Sequence, residues 1–108
     1  MSVNWKAYQD FTNTTAIFPE EKALEYLGLG LASEGGEVAG VIKKAIRDNT
    51  YSLEVRDKIK AELGDLCWYI AQICQHLNLD FEEVLETNVK KLSSRKERNQ
   101  LTGDGDDR

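Results

Sequence analysis

Four carboxylates stand out by type and spacing. Glu34 and Glu37 lie three apart in the run Glu34-Gly35-Gly36-Glu37, and Glu62 and Asp65 lie three apart in Glu62-Leu63-Gly64-Asp65. On a helix, that spacing puts each pair on one face with Cβ atoms about 5–6 Å apart. Two ionised carboxylates so close repel by ~3 kcal/mol at an effective dielectric of about 20. If all four converge, they need a cation. Carboxylate oxygens are hard ligands and suit Mg²⁺ or Mn²⁺ better than zinc. A di-iron centre is the rival reading, but it calls for Glu-x-x-His on two helices. Here the partner positions are Glu37 and Asp65, and the sole histidine is His76, which argues against iron.

The bland alternative is two solvated helix faces in a chain that is 31% charged. Position separates the readings. Glu34 is three after Leu31 and four before Val38, and Glu62 is three after Ile59 and four before Leu66. Both therefore fall inside apolar seams, where an unneutralised carboxylate is costly.

Four helices are expected to carry these residues. The first spans about Asn4–Thr12, with Asn4 as its cap and Trp5, Tyr8 and Phe11 on one side. The second runs from about Pro19 to Arg47 on a seam of Leu24, Leu27, Leu31, Val38, Val41 and Ile42. Its five glycines imply close approach to a neighbour or a kink. Asp48-Asn49-Thr50 reads as a turn. The third spans about Leu53–Leu77, with Val55, Ile59, Leu63, Leu66, Ile70, Ile73 and Leu77 at spacings of three and four. The fourth starts at Asp80, which with Glu83 resembles a capping box, and buries Val84, Leu85, Val89 and Leu92. Short connections favour an all-α antiparallel bundle in one domain over residues 1–98. The polar stretch 99–108 reads as a flexible solubilising tail; its Gly-Asp-Gly-Asp-Asp-Arg lacks calcium-loop spacing.

The net charge is −5 among 108 residues, which argues against stable nucleic-acid binding. No apolar run could span a bilayer and no signal-peptide core is present, so the cytoplasm is the expected location. Cys67 and Cys74 share a helix face two turns apart, too far to bridge, and read as free thiols. His76 reads as a helix-end or solvated residue.

At this point a family resemblance appears. The run Leu29-Gly30-Leu31-Ala32-Ser33-Glu34-Gly35-Gly36-Glu37-Val38, followed by Lys43-Lys44, resembles the first motif of the MazG-like, all-α nucleotide pyrophosphohydrolases. Glu62-Leu63-Gly64-Asp65-Leu66-Cys67-Trp68-Tyr69 is similar to their second, and Asn88-Val89-Lys90-Lys91-Leu92-Ser93-Ser94-Arg95 to a third. Tyr8-Gln9 resembles an N-terminal element. The likeness covers about residues 8–95.

The resemblance implies hydrolysis of a nucleoside triphosphate between its α- and β-phosphates, giving monophosphate and pyrophosphate. It also implies Mg²⁺, as two or more ions per site, on Glu34, Glu37, Glu62 and Asp65. A carboxylate not saturated by metal could accept the water's proton; Glu34 is assigned that role, with Glu37 the alternative. Lys44, on the face of Glu37, together with Lys91 and Arg95, is expected to meet phosphates. Tyr69 is expected against a deoxyribose, which favours deoxyribonucleotides, and Asn88, Gln9 and Trp5 near sugar or base. Each of these has an ordinary structural alternative: a solvated lysine, a basic last turn, a core aromatic. The resemblance and the small core both favour a homodimer or a homotetramer built from two dimers. A non-catalytic helical interaction module is the competing class, expected to tolerate Glu→Gln at all four carboxylates.

Overall fold

The computed structural model describes residues 2–108. Among them there are four α-helices and no strand: α1 (Trp5–Thr12), α2 (Ala23–Asp48), α3 (Leu53–His76) and α4 (Phe81–Glu97). Single 3₁₀ turns at Asn13–Thr15 and Glu20–Lys22 lead from α1 into α2. Pro19 does not open the helix as its type suggests. Its ψ of 124° is extended, so it precedes the 3₁₀ turn and α2 begins four residues later.

Side chains cap the starts of α1, α3 and α4, and asparagines end the three long helices. Asn4 Oδ1 accepts from Ala7 N–H at 2.8 Å, Ser52 Oγ from Val55 N–H at 3.3 Å, and Asp80 Oδ1 from Glu82 N–H at 2.9 Å. Asp80 thus caps α4 through the second amide of the helix rather than through a reciprocal bond with Glu83. Each long helix then stops at an asparagine in the left-handed region, Asn49, Asn78 and Asn99. There the next amide folds back to a carbonyl five residues upstream: Thr50 to Ala45, Leu79 to Cys74, Gln100 to Arg95. Asparagine tolerates this backbone better than most residues.

The α2–α3 hairpin is the frame. Gly30 lies against Tyr69 and Glu34 against Glu62 and Asp65, so the helices run antiparallel along their lengths. Leu27 and Ala45 are buried in this seam; Leu31, Val38, Val41 and Ile42 are half-buried. Leu24 and Leu63, expected in the seams, are instead nearly half exposed. Only Gly30 among the helical glycines faces a close neighbour; a Cβ at Gly28, Gly35, Gly36 or Gly40 would meet open space. The helix also runs through all five without a break.

A small second core of Ala71, Cys74 and Phe81, with Tyr8, Ile70 and Leu85, joins α1, α3 and α4. Gln9 locks it. Its Nε2 donates to Gln75 Oε1 at 3.1 Å and Leu79 O at 3.0 Å, while its Oε1 accepts from Phe81 N–H at 2.9 Å. Trp5 meets Phe81 edge-on at 5.1 Å.

Helix α4 does not complete a closed four-helix bundle within one chain. Of its expected buried face only Leu85 reaches the core, while Val84, Val89 and Leu92 are exposed. The radius of gyration is 16.8 Å, against about 13 Å for a compact domain of this length. The accessible surface is 8110 Å², where about 6,100 Å² is usual for a 12.2 kDa monomer. No helix among the described residues is long and apolar enough to cross a membrane.

The tail folds back onto the end of α4. Gly103 and Gly105 take positive φ, 106° and 86°, and turn the chain back along α4. The Arg108 guanidinium then donates to the carbonyls of Gly105 (2.6 Å), Gln100 (3.2 Å) and Leu101 (3.2 Å). A polar composition suggests disorder, but one guanidinium spanning three carbonyls gives this loop its own internal frame.

Candidate metal and nucleotide site

Glu34 on α2 and Glu62 and Asp65 on α3 come together across the hairpin. One oxygen from each lies within 4.8 Å of the others. Helical spacing explains the Glu62–Asp65 half of this arrangement; antiparallel packing supplies the other. Glu37 stands exposed one turn beyond Glu34 and outside the cluster, yet close enough for its charge to act on Glu34.

The electrostatics show the strain of this arrangement. The Glu34 carboxyl is pushed above the ordinary carboxylate value. A hydrogen bond with Glu62 is the main cause, followed by burial and the charges of Asp65, Glu62 and Glu37. Two carboxyls bond to each other only by sharing a proton, because an ionised carboxylate is an acceptor alone. A proton here neutralises one charge of three. A divalent cation would neutralise more, and an all-oxygen donor set matches Mg²⁺ or Mn²⁺. The residues present therefore fit such an ion.

Beside the acids lies a cleft of about 460 Å³, with Glu34 and Asp65 at its edge and Phe11, Phe18, Tyr26, Trp68 and Tyr69 forming its aromatic walls. Phe18 stacks on Tyr26 at 5.2 Å, and Trp68 meets Tyr69 edge-on at 5.0 Å. Burial first, then the Tyr26 phenol, raises the Tyr69 hydroxyl. The 13–18 segment is tied to this wall from behind: Trp68 Nε1 donates to Thr15 Oγ1 at 2.7 Å, and Gln72 Nε2 to Thr12 Oγ1 and Asn13 Oδ1 at 2.8 and 2.9 Å. Tyr8 reaches the same region from α1, its hydroxyl donating to Gly64 O at 3.3 Å.

The expected sugar and base residues divide. Tyr69 lines the cleft. Gln9 does not; it is buried, and both ends of its amide are bonded within the fold. Trp5 packs on Phe81, away from the cleft. Asn88 and Lys91 border a different groove on α4. Lys44 is exposed near the end of α2 and Arg95 is buried under the tail; neither lines the cleft within one chain. Tyr26, Phe18, Phe11 and Trp68 were not among the expected site residues. Tyr26 was legible in principle, since 26, 30 and 34 form an i, i+4, i+8 row on α2. Trp68 sits three after Asp65 in the same way. Phe18 arrives from a loop and leaves no periodic signal.

An all-helical chain with carboxylates from two helices meeting beside an aromatic cleft has, by class, the donor groups for a metal cation next to an apolar recess. The family model of the MazG nucleotide pyrophosphohydrolase domain matches residues 22–99. The chain is also 39% identical over 109 residues to the gene 37 protein of Mycobacterium phage L5, across 94% of this chain and 96% of that protein. No solved structure matches at a significant level. The chain belongs to the MazG nucleotide pyrophosphohydrolase family.

Proposed function

We propose that this protein hydrolyses nucleoside triphosphates, deoxyribonucleotides by preference, to the monophosphate and pyrophosphate, with water attacking at the α/β-phosphate linkage. One observation carries the reading: the Glu34, Glu62 and Asp65 oxygens within 4.8 Å of one another, at the edge of a cleft large enough for a nucleoside. Glu34, Glu62 and Asp65 would hold Mg²⁺, with Mn²⁺ as a substitute and Glu37 as a further ligand. Bound there, the ion would supply charge for the phosphate oxygens and a more acidic water.

The chain's own residues do the rest. Glu34 accepts the proton of the attacking water; Glu37 is the alternative acceptor. Tyr26, Phe18 and Trp68 offer ring faces and edges to the base. Tyr69, between that wall and the acids, stands where a sugar would pass and disfavours a 2′-hydroxyl. Lys44, Lys91 and Arg95 meet phosphate oxygens, as their resemblance to the family motif implies.

The particle is a homodimer or a homotetramer of two dimers. The surface exceeds that of a compact monomer by roughly 2,000 Å², and Leu29, Leu63, Val89 and Leu92 stand uncovered. That excess is in the range that obligate interfaces bury.

A screen of common and modified NTPs and dNTPs with Mg²⁺ or Mn²⁺, with products resolved by chromatography, tests the reading. The expected products are a nucleoside monophosphate and pyrophosphate. Release of orthophosphate would move the cleavage to another bond. No turnover with any nucleotide, together with tolerance of Gln at all four carboxylates, would favour a non-catalytic helical module.

A further inference from the structure

Arg95 is a charged residue only 4% exposed, and what covers it is this chain's own tail. Its Nη2 donates to Asp106 O at 2.7 Å, with longer contacts to Gly105 O and Asp106 Oδ1, each at 3.4 Å. Lys91, one turn earlier on the same face of α4, donates from Nζ to the same Asp106 carboxylate at 3.1 Å. The Asp106 carboxyl is held below its ordinary range, by Lys91 first and then Arg95. Arg98, three after Arg95, donates to the main-chain oxygen of Arg108 at 2.7 Å. Lys91, Arg95 and Arg98 are thus each engaged by the tail.

The occupant fits imperfectly. Arg95 Nε is buried and has no hydrogen-bond partner. A guanidinium presents Nε and Nη2 as a fork suited to two oxygens of one planar or tetrahedral anion. The tail meets one tine with a carbonyl and leaves the other empty. A phosphate group carries enough oxygens to fill both and to reach Lys91 as well. The hold is weak on the Lys91 side: the Asp106 side chain is 83% exposed and that of Lys91 36%, and exposed ion pairs contribute little, whereas the Arg95 side chain is 5% exposed.

We propose that residues 99–108 form an internal ligand: Asp106 holds the Lys91–Arg95 anion site as a displaceable stand-in for a phosphate group, and an incoming polyphosphate must expel it. This rests on the reading of Lys91 and Arg95 as phosphate contacts. The tail sets a threshold on phosphate binding without touching the carboxylate cluster. Arg108 governs how readily it lifts, because its three carbonyl bonds keep the loop folded.

The test uses the wild-type chain, Asp106→Asn and Arg108→Ala. Inorganic tripolyphosphate is the probe, titrated without divalent metal so that the carboxylate cluster repels it. Affinity is read by calorimetry and tail position by the amide resonances of Gly103 and Gly105. Both variants are expected to bind tripolyphosphate about two- to fivefold more tightly than wild type, Asp106→Asn through loss of an exposed ion pair and Arg108→Ala through loss of the carbonyl bonds that keep the loop folded. In wild type the Gly105 resonance is expected to move toward its unfolded position as the site fills. Equal affinity in all three proteins with an unmoved Gly105, or no tripolyphosphate binding in any of them, overturns the proposal. A separate turnover assay on Lys91→Gln isolates the underlying reading. Unchanged kcat/KM there would show that Lys91 does not serve the substrate. A drop there, with no tail effect on tripolyphosphate, would refute the internal ligand alone.

Discussion

Gly30 and Tyr69 compete for one volume. A Cβ on Gly30 would come within 2.7 Å of Tyr69 Cδ1 and closer still to the edge of the ring. The antiparallel hairpin depends on that absence, because Tyr69 also forms part of the cleft wall beside Glu34 and Asp65. In an ordinary helix interior Gly→Ala gains about 1 kcal/mol. Here Gly30→Ala is expected to destabilise, since overpacking costs about 1–3 kcal/mol, and to raise the KM for nucleotide by driving the ring into the cleft. Chemical denaturation of Gly30→Ala, Tyr69→Ala and the double variant checks this. The double variant should be less destabilised than the two single effects combined; simple additivity would show that the two residues do not press on each other.

The carboxylate cluster should trade stability for function. Glu34→Gln removes like charge from a repelling group and is expected to stabilise the metal-free protein by a few tenths of a kcal/mol. It should also lower kcat by about 100-fold or more if Glu34 takes the water's proton, and shrink the rise in Tm that Mg²⁺ produces. Paired assays of Glu34→Gln and Glu37→Gln decide between the two acceptors. Full turnover in Glu34→Gln with metal binding intact would pass the role to Glu37.

Gln9 makes the opposite prediction. Its amide joins Gln75, Leu79 and the first amide of α4, and leaving such buried groups unpaired costs about 1–3 kcal/mol. Gln9→Leu is expected to lower the urea midpoint while the KM of the folded fraction stays near that of wild type. A large KM increase at unchanged stability would instead return Gln9 to the base site.

Acid should lift the tail. Asp106 has its carboxyl lowered by Lys91 and Arg95, so its contribution to docking is complete above the usual Asp value of about 4. That contribution is lost as pH falls through the depressed value in the docked state. Hydrogen exchange at Gly103 and Gly105 should therefore keep constant protection from neutral pH down to about pH 4, after allowance for intrinsic exchange rates, and lose it below. Loss of protection between pH 6 and pH 7 would point to a different group.

Sedimentation should return a particle of at least twice 12.2 kDa at micromolar concentration, because α4 leaves Val84, Val89 and Leu92 without cover. A stable species of 12.2 kDa would mean that this open shape persists alone.

Local rules carried much of this molecule. Apolar residues at spacings of three and four mark α2 and α3 to within a few residues. Asn4 and Asp80 mark helix starts, because a capping oxygen acts on amides only two or three residues away. The pairing of Glu34 with Glu37 and of Glu62 with Asp65 on shared faces follows from 3.6 residues per turn. Tertiary structure decided what lies across an interface. It set the register that joins Glu34 to Glu62 and Asp65 and leaves Glu37 aside. It brought Phe18 from a loop onto Tyr26, turned Gln9 inward, and laid Asp106 on Lys91 and Arg95. None of these contacts repeats along the chain, so no periodicity records them. They depend on which surfaces approach closely, as where a bare Gly30 admits the Tyr69 ring, and on opposite charges that meet only after the chain has turned back.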